Sequence, residues 1–133
     1  MDQLKRRIGD SARALYTLEE ALAIASPSLL ERDGPIQRFE YSFEALWKAS
    51  QLFLQKAEGI DAKSPKACIR SLGDCGLLSP EETVAFLAVA DDRNLTVHTY
   101  IEEVAVQIHS RLPGHSRLMA SVVERMKKKA DCN

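Results

Sequence analysis

Apolar residues recur at three- and four-residue steps through most of the chain, the spacing of one face of an α-helix. A second run of this pattern begins at Ile36, contains most of the aromatic residues and ends near Gly59. No strand-like alternation of useful length and no internal repeat occurs in the sequence. In the first predicted helix, from about Asp2 to Ala25, the apolar stripe consists of Leu4, Ile8, Ala12, Leu15, Leu18, Leu22 and Ala25.

Proline and glycine predict where the first two helices are separated. Ser26-Pro27-Ser28 should stop the first helix, because proline lacks an amide hydrogen and disfavours helical torsions in the residue before it. Asp33-Gly34-Pro35 should complete a short link, with Pro35 in the first turn of the second helix.

Serine–proline pairs indicate the starts of two shorter helices. Ser64-Pro65 combines a capping residue with a first-turn proline, and this helix should run to about Cys75. Ser79 precedes Glu82 by three residues, which is the spacing of a capping box, where each side chain bonds the backbone amide of the other residue.

The carboxy-terminal part should contain two further helices. Thr99 and Glu102 also have capping-box spacing, so a fifth helix should run from Tyr100 to about Leu112. Pro113-Gly114 should turn the chain, and a final helix should end in a run of lysines that complements the negative end of the helix dipole. We therefore expect residues 1–133 to form one all-α domain, an antiparallel up-and-down bundle of five to six helices.

Composition adds limits on size, charge and location. The chain has 133 residues and 45% apolar content, enough for the core of one domain. Lys and Arg number 18 against 19 Asp and Glu, so no overall field attracts nucleic acid or anionic lipid. No apolar run approaches the ~20 residues that cross a bilayer, and the amino terminus lacks the apolar stretch of a signal peptide. We expect a cytoplasmic protein without membrane contact.

Three cysteines, an odd number, argue against a disulfide framework. Cys68 and Cys75 are seven residues apart on one helix face and should be small buried apolar residues. Cys132 lies in a charged tail and should be a free thiol. Further ligands at a spacing suited to zinc are not evident, so we expect neither a metal site nor a cofactor.

The most unusual segment of the chain is the decapeptide 91–100, DDRNLTVHTY. It lies between two apolar segments, so its polar side chains must find partners or take part in chemistry. Arg93 and His98 would point about 140° apart on an unbroken helix. They can converge only if the helix breaks between them, which the β-branched residues there favour, or if one of them comes from a second subunit.

A helix break at this point would favour phosphate chemistry. His98 would lie just before a helix start, where backbone amides and the positive dipole end favour an anion and a neutral imidazole. Arg93 carries a planar fork of donors suited to phosphate. Together these groups suffice for metal-free phosphodiester chemistry, in which one group activates a ribose hydroxyl and another stabilises the developing charge.

A structural role for the same side chains is the alternative. Asp91 or Asp92 could pair with Arg93, and the polar side chains around His98 could satisfy orphan carbonyls where two helices meet. His115, in the predicted turn, should be a surface or capping residue.

The decapeptide also resembles a family signature. Residues 93–100, RNLTVHTY, look like the Arg-x4-His-x-Tyr motif of HEPN domains that are paired with small MNT nucleotidyltransferases. Residues 36–48, IQRFEYSFEALWK, resemble the second-helix hallmark of the same group, the nucleotidyltransferase substrate-binding proteins. Ser64-Pro65 and the Gly76-Leu77-Leu78 link follow in the family's order, so the resemblance covers nearly the whole chain.

The resemblance implies an activity and a partner. Family members are helical bundles that form homodimers and associate with an MNT nucleotidyltransferase. In toxin–antitoxin pairs of this kind the HEPN protein is a metal-independent endoribonuclease, and its arginine and histidine, here Arg93 and His98, line a cleft between two protomers. The partner can transfer AMP from ATP onto the motif tyrosine, here Tyr100, and so neutralise the toxin. Asp92 and Asn94 match supporting polar positions beside the motif.

Two functions follow as expectations from the resemblance. The first is an RNA-cutting toxin that an MNT antitoxin holds inactive, and the complete Arg, His and Tyr set favours it. The second is a non-catalytic subunit that presents a substrate to the nucleotidyltransferase. The balanced net charge favours this second function or a purely structural motif, because phosphate contacts supply most of the non-specific affinity for nucleic acid.

Overall fold

The computed structural model describes residues 2–23 and 29–132, the side chains of 29–33 excepted. Within these ranges the chain forms α1 (Asp2–Leu22), α2 (Leu29–Phe53), α3 (Pro65–Asp74), α4 (Pro80–Leu95) and α5 (Glu102–Asp131). A π-helical turn, Leu54–Glu58, continues α2, and a 3-10 turn, Thr96–His98, follows α4. The predicted all-α bundle is confirmed, and no helix in these ranges is long and apolar enough to cross a membrane.

The core lies where α1, α2 and α5 pack along one another, with α3 and α4 covering the rest of α2 and α5. Aromatic side chains of α2 fill much of it, and Phe43 meets Phe86 of α4 edge to face, with ring centroids 6.2 Å apart. The predicted stripe of α1 is buried or half-buried except at Ala12, which is exposed. Ala25 of that stripe lies outside the described residues.

The predicted link through Asp33-Gly34-Pro35 is wrong, because α2 already begins at Leu29 and contains Pro35. A proline inside a helix costs roughly 3 kcal/mol. The residues that follow it, Ile36 and Phe39, are fully buried, and each large apolar side chain gains about 1.5–3 kcal/mol on burial. Core packing therefore outweighs the proline. The predicted stop at Ser26-Pro27-Ser28 lies outside the described residues.

The predicted turn at Pro113-Gly114 is also wrong, since α5 continues through both residues to Asp131. Both residues are exposed, so the proline ring lies on the side of α5 that faces water. On the opposite face Leu112 and Met119 continue one buried stripe across the proline. The predicted fifth and sixth helices are thus two halves of one helix.

The predicted helix starts at Ser64 and Ser79 are confirmed. Ser64 Oγ accepts the amide hydrogen of Ala67 at 3.1 Å. At Ser79 the capping box is complete, with Glu82 N donating to Ser79 Oγ at 3.1 Å and Ser79 N donating to Glu82 Oε1 at 2.9 Å. Arg125 of α5 also donates to both Glu82 oxygens, at 2.7 and 2.6 Å, and it holds the pKa of Glu82 down at about 2.

Two glycines end helices as the sequence pattern indicates. Gly59 (φ 67°) ends the π-helical turn, and Gly76 (φ 84°) follows α3.

Among the cysteines, Cys68 is buried, and burial raises the pKa of its thiol to about 11. The buried role predicted for Cys68 and Cys75 is therefore confirmed at Cys68, while Cys75 is only half-buried, and Cys132 is an exposed free thiol as predicted.

Gly73 allows α3 and α4 to approach closely, and we expect Gly73→Ala to lower the free energy of unfolding by about 1–3 kcal/mol through overpacking. A Cβ atom there would lie 2.4 Å from Thr83 Oγ1. That hydroxyl also donates to the Ser79 carbonyl at 2.9 Å, so moving it disturbs the start of α4. Urea unfolding of the purified protein measures the effect.

Gly34→Ala is the matched control, because a Cβ atom there meets nothing within 4 Å. Within a helix this change should be neutral or stabilising by up to about 1 kcal/mol. Adding Thr83→Ala to Gly73→Ala should recover part of the loss. An equal effect of alanine at both glycines would contradict the close approach at Gly73.

Candidate functional site

The predicted break between Arg93 and His98 is present. α4 ends at Leu95, and the next three residues form the 3-10 turn. The Thr96 hydroxyl donates to the Arg93 carbonyl at 2.6 Å, and the Thr99 hydroxyl donates to the Thr96 carbonyl at 3.0 Å. Threonine side chains that bond back to carbonyls three residues earlier compete with the α-helical pattern. Ser11, Thr17 and Ser110 make the same kind of bond inside continuous helices, so these bonds accompany the break, and the β-branched residues of the segment disfavour a helix interior there.

The predicted capping box at Thr99 is wrong, because the Thr99 hydroxyl bonds backward to Thr96 rather than forward. The capping position of α5 is occupied by Ile101 (φ −89°, ψ 116°), whose side chain makes no capping hydrogen bond. Glu102 and Glu103 lie in the first turn of α5, where the helix dipole favours carboxylates. The helix start that was predicted to attract phosphate thus carries two acidic residues of its own.

Arg93 lies at the end of α4 with its guanidinium directed at α2. Its Nη2 is 3.6 Å from Glu44 Oε1, its Nη1 is 3.9 Å from Glu40 Oε2, and Nη1 is 3.5 Å from the Thr96 hydroxyl. Charge-assisted hydrogen bonds are shorter, about 2.7–2.9 Å, and Nε is buried without a hydrogen-bond partner in the described part of the chain. The side chain is 26% exposed. Two carboxylates orient the guanidinium, but they do not saturate its donors.

His98 and Tyr100 lie together on the exposed side of the turn. Their ring centroids are 6.0 Å apart with the rings edge to face, and Tyr100 is 80% exposed. Asn94 is exposed as well. Within residues 2–23 and 29–132 no hydrogen bond joins Arg93 to His98. The break therefore occurs where it was predicted. Within one chain, however, Arg93 faces the glutamates of α2 while His98 packs against Tyr100.

Asp92 is buried and binds two groups of α5. Arg111 donates to it through Nε at 2.7 Å and Nη2 at 2.8 Å, and His115 Nε2 lies 2.7 Å from Oδ2. The His115 ring stacks on Phe39 at 5.7 Å. Burial alone would raise the pKa of Asp92, but the hydrogen bonds from Arg111 and His115 outweigh it and hold the pKa below its usual value.

These contacts correct two predictions. Neither Asp91 nor Asp92 pairs with Arg93, since Asp91 binds Lys66 at 2.5 Å and Asp92 binds α5. His115 lies in α5 with its side chain only 12% exposed, so it is neither in a turn nor on the surface. Its four-residue spacing from Arg111 places both on one helix face, a signal that the predicted turn at Pro113-Gly114 concealed.

Glu40 and Glu44, the carboxylates beside Arg93, are the other site residues that sequence reasoning missed. They lie one helical turn apart within residues 36–48, so their shared face was detectable. Their partner, however, lies on another helix. Among the side chains that the structure describes, no group of three or more His, Cys, Asp or Glu could hold a metal ion.

Comparison with known proteins places these features in context. A family described as nucleotidyltransferase substrate binding protein like matches residues 6–128. The structure of a protein from Thermus thermophilus is 49% identical, with 87% of this chain and 98% of that chain covered and a TM-score of 0.85. One chain in the structure of a mutant of the toxin–antitoxin pair MntA–HpeT has the same fold at 14% identity, with 96% of this chain and 99% of that chain covered and a TM-score of 0.81. No curated protein matches the chain significantly in sequence.

Proposed function

The chain belongs to the family of nucleotidyltransferase substrate binding protein like proteins, and from this premise we propose that it is an HEPN-type toxin. Its activity is metal-independent endoribonuclease cleavage, and its partner is an MNT nucleotidyltransferase that neutralises it. The observation that carries the proposal is the broken helix, which leaves His98 and Tyr100 exposed on one turn with Arg93 partly exposed beside it. The similar fold of a chain from a toxin–antitoxin pair supports it.

The proposed reaction is an internal attack by a ribose hydroxyl. The His98 ring takes the proton of the 2′-hydroxyl, the 2′-oxygen bonds to phosphorus, and the bond to the 5′-oxygen breaks. Arg93 stabilises the charge that develops on the phosphate oxygens. The departing oxygen takes a proton from the histidine of a second copy. Because Arg93 and His98 are not bonded within one chain, we propose that a homodimer completes the site across its cleft.

Tyr100 is the proposed acceptor of AMP. Its hydroxyl oxygen bonds to the α-phosphorus of ATP, the bond to pyrophosphate breaks, and the phenol proton passes to a base of the partner. At 80% exposure the side chain can enter another protein's active site. An attached nucleotide would also lie beside the His98 ring and bring negative charge to the turn, so it would block the approach of RNA.

Two measurements on the purified chain test the proposal. With a chelator present it should still cut RNA and leave 2′,3′-cyclic phosphate ends. Incubation with its cognate nucleotidyltransferase and ATP should then add the mass of AMP to the peptide with Tyr100 and abolish cleavage. Tyr100→Phe should stay unmodified, while the exposed Tyr16→Phe control should be modified normally. Cleavage that requires magnesium would contradict the mechanism.

The alternative is a non-catalytic subunit that presents a substrate to the nucleotidyltransferase. It is favoured by the carboxylates that face Arg93 and by Glu102 and Glu103 at the start of α5, since both weaken binding of phosphate. In that case the chain cuts no RNA, and adding it to the partner should raise kcat/KM for a third substrate. The two assays therefore separate the two functions.

A further inference from the structure

A cavity of about 370 Å³ lies against α1, α2 and the segment after the π-helical turn. This volume is within the range of about 300–1,000 Å³ that small-molecule sites usually occupy. Its walls include one aromatic ring, two cationic side chains and three amides, supplied by Trp47, Arg7, Lys48, Gln3, Gln51 and Gln55. None of these residues belongs to the 91–100 segment.

The charge of the cavity favours an anion. Arg7 and Lys48 make no ion pair with any other residue that the structure describes, so both charges are available to a ligand. The acidic residue on the wall, Asp61, is paired with Lys63 at 2.7 Å. In a chain with a balanced net charge, this is a local positive site.

The uncharged part of the wall suits a heteroaromatic ring. Trp47 is half-buried, and its Nε1 donates to Glu44 Oε2 at 3.2 Å, which fixes the indole. Indole rings stack on nucleobases regardless of sequence. Glutamine amides both donate and accept hydrogen bonds, as the edges of a base require.

Two residues of the cavity wall, Trp47 and Gln51, are fixed by hydrogen bonds before any ligand arrives. Gln51 Nε2 donates to the Ala62 carbonyl at 2.7 Å, which ties the segment after Gly59 to α2. The end of α2 next to the cavity is the π-helical turn Leu54–Glu58, and such turns occur frequently at functional sites. Fixing these two side chains in advance lowers the entropy that a ligand loses on binding to them.

We infer that this cavity binds a nucleoside monophosphate group, with its base against Trp47 and its phosphate near Arg7 and Lys48. The group can arrive as a free nucleotide or as the phosphorylated end of an RNA strand. The inference goes beyond the proposed nuclease and does not depend on it. Glu44 touches both sites, since one oxygen accepts from Trp47 and the other faces Arg93.

Trp47 is the only tryptophan of the chain, so intrinsic fluorescence reports directly on the cavity. Titration with AMP should give a saturable change, with a matching heat in calorimetry. Adenosine and inorganic phosphate should each bind at least tenfold more weakly than AMP. A short 5′-phosphorylated oligoribonucleotide, compared with AMP and with the same strand lacking the 5′-phosphate, identifies the source: a phosphorylated strand that binds more tightly than both assigns the cavity to RNA ends, and any other order assigns it to free nucleotides.

Charge variants make the test specific. Arg7→Gln should weaken AMP binding at least tenfold, and Lys48→Arg, which keeps the charge, should bind nearly as the wild type. Arg6→Gln is the matched control, because Arg6 is the exposed neighbour on α1 and does not line the cavity. His98→Ala should bind AMP unchanged, so failure of the nuclease proposal stays separate from this one.

Three results would overturn the inference. The first is the absence of a saturable signal in both fluorescence and calorimetry. The second is inorganic phosphate binding as tightly as AMP, which would mean a general anion site. The third is equal weakening by Arg6→Gln and Arg7→Gln, with both variants folded by their thermal unfolding, which would place the nucleotide elsewhere.

Discussion

Replacing His98 by alanine should reduce RNA cleavage by at least about 100-fold, the lower end of what a general base contributes, and should relieve growth arrest caused by expressing the chain alone. The side chain is exposed and contacts Tyr100 only edge to face. Its removal should therefore change the free energy of unfolding by no more than about 0.5 kcal/mol. Cleavage assays, growth curves and urea unfolding of the same variant measure the three quantities.

Arg93 variants complete this experiment. Arg93→Ala should match His98→Ala in cleavage, and Arg93→Lys should not restore it, because lysine cannot present a planar fork to phosphate. Arg117→Ala is the control, since Arg117 is an exposed arginine of α5 away from the turn. His98→Ala that cuts RNA at the wild-type rate would remove the proposed base and with it the nuclease mechanism.

Asp92→Asn should lower the free energy of unfolding by about 2–3 kcal/mol, somewhat less than the full cost of breaking a buried ion pair, because Arg111 is 43% exposed and keeps part of its hydration. The asparagine amide carries no charge and has only one oxygen to accept the two donors of Arg111. It also holds His115 less well than the carboxylate does. The neighbouring Asp91→Asn is the control. Asp91 pairs with Lys66 on the surface, and such pairs contribute about 0–1 kcal/mol.

The Asp92 effect should also depend on pH. Its pKa is lowered in the folded protein, so the stabilisation is fully present above the ordinary carboxyl value of 3.8 and is lost as the pH falls below that value. Urea unfolding of wild type and Asp92→Asn at neutral and acid pH should show the difference shrinking in acid. A difference that stays constant, or a loss equal to that of Asp91→Asn, would contradict the buried pair.

Features set by short-range chemistry were predictable from the sequence. The apolar stripes gave the helices, and the capping box at Ser79 formed because both partners lie within one turn. The break before His98 was also predictable, since the β-branched Thr96, Val97 and Thr99 disfavour a helix interior. The direction of the Thr99 hydrogen bond was harder to predict. Its hydroxyl could bond to a residue before or after it, and the capping-box spacing indicated the wrong one.

Features set by distant partners were not predictable in the same way. Proline at 35 and 113 signalled interruptions, but burial of the residues around them against other helices kept α2 and α5 continuous. The ion pairs of Arg93 and Asp92 join different helices, so they depend on how the bundle packs. Because the prediction divided α5 into two helices, it did not place Arg111 and His115 on the same helix face.

The uninterrupted α5 has a mechanical consequence. In the first half of α5 Arg111 binds Asp92, in the last turn of α4. In the second half Arg125 binds Glu82, in the first turn of α4. The two antiparallel helices are thus joined by an ion pair near each end of α4. A tilt of either helix alone would separate a carboxylate from a guanidinium. These two ion pairs leave the bend between α4 and α5, which carries His98 and Tyr100, as the part of the helix pair that they do not restrain.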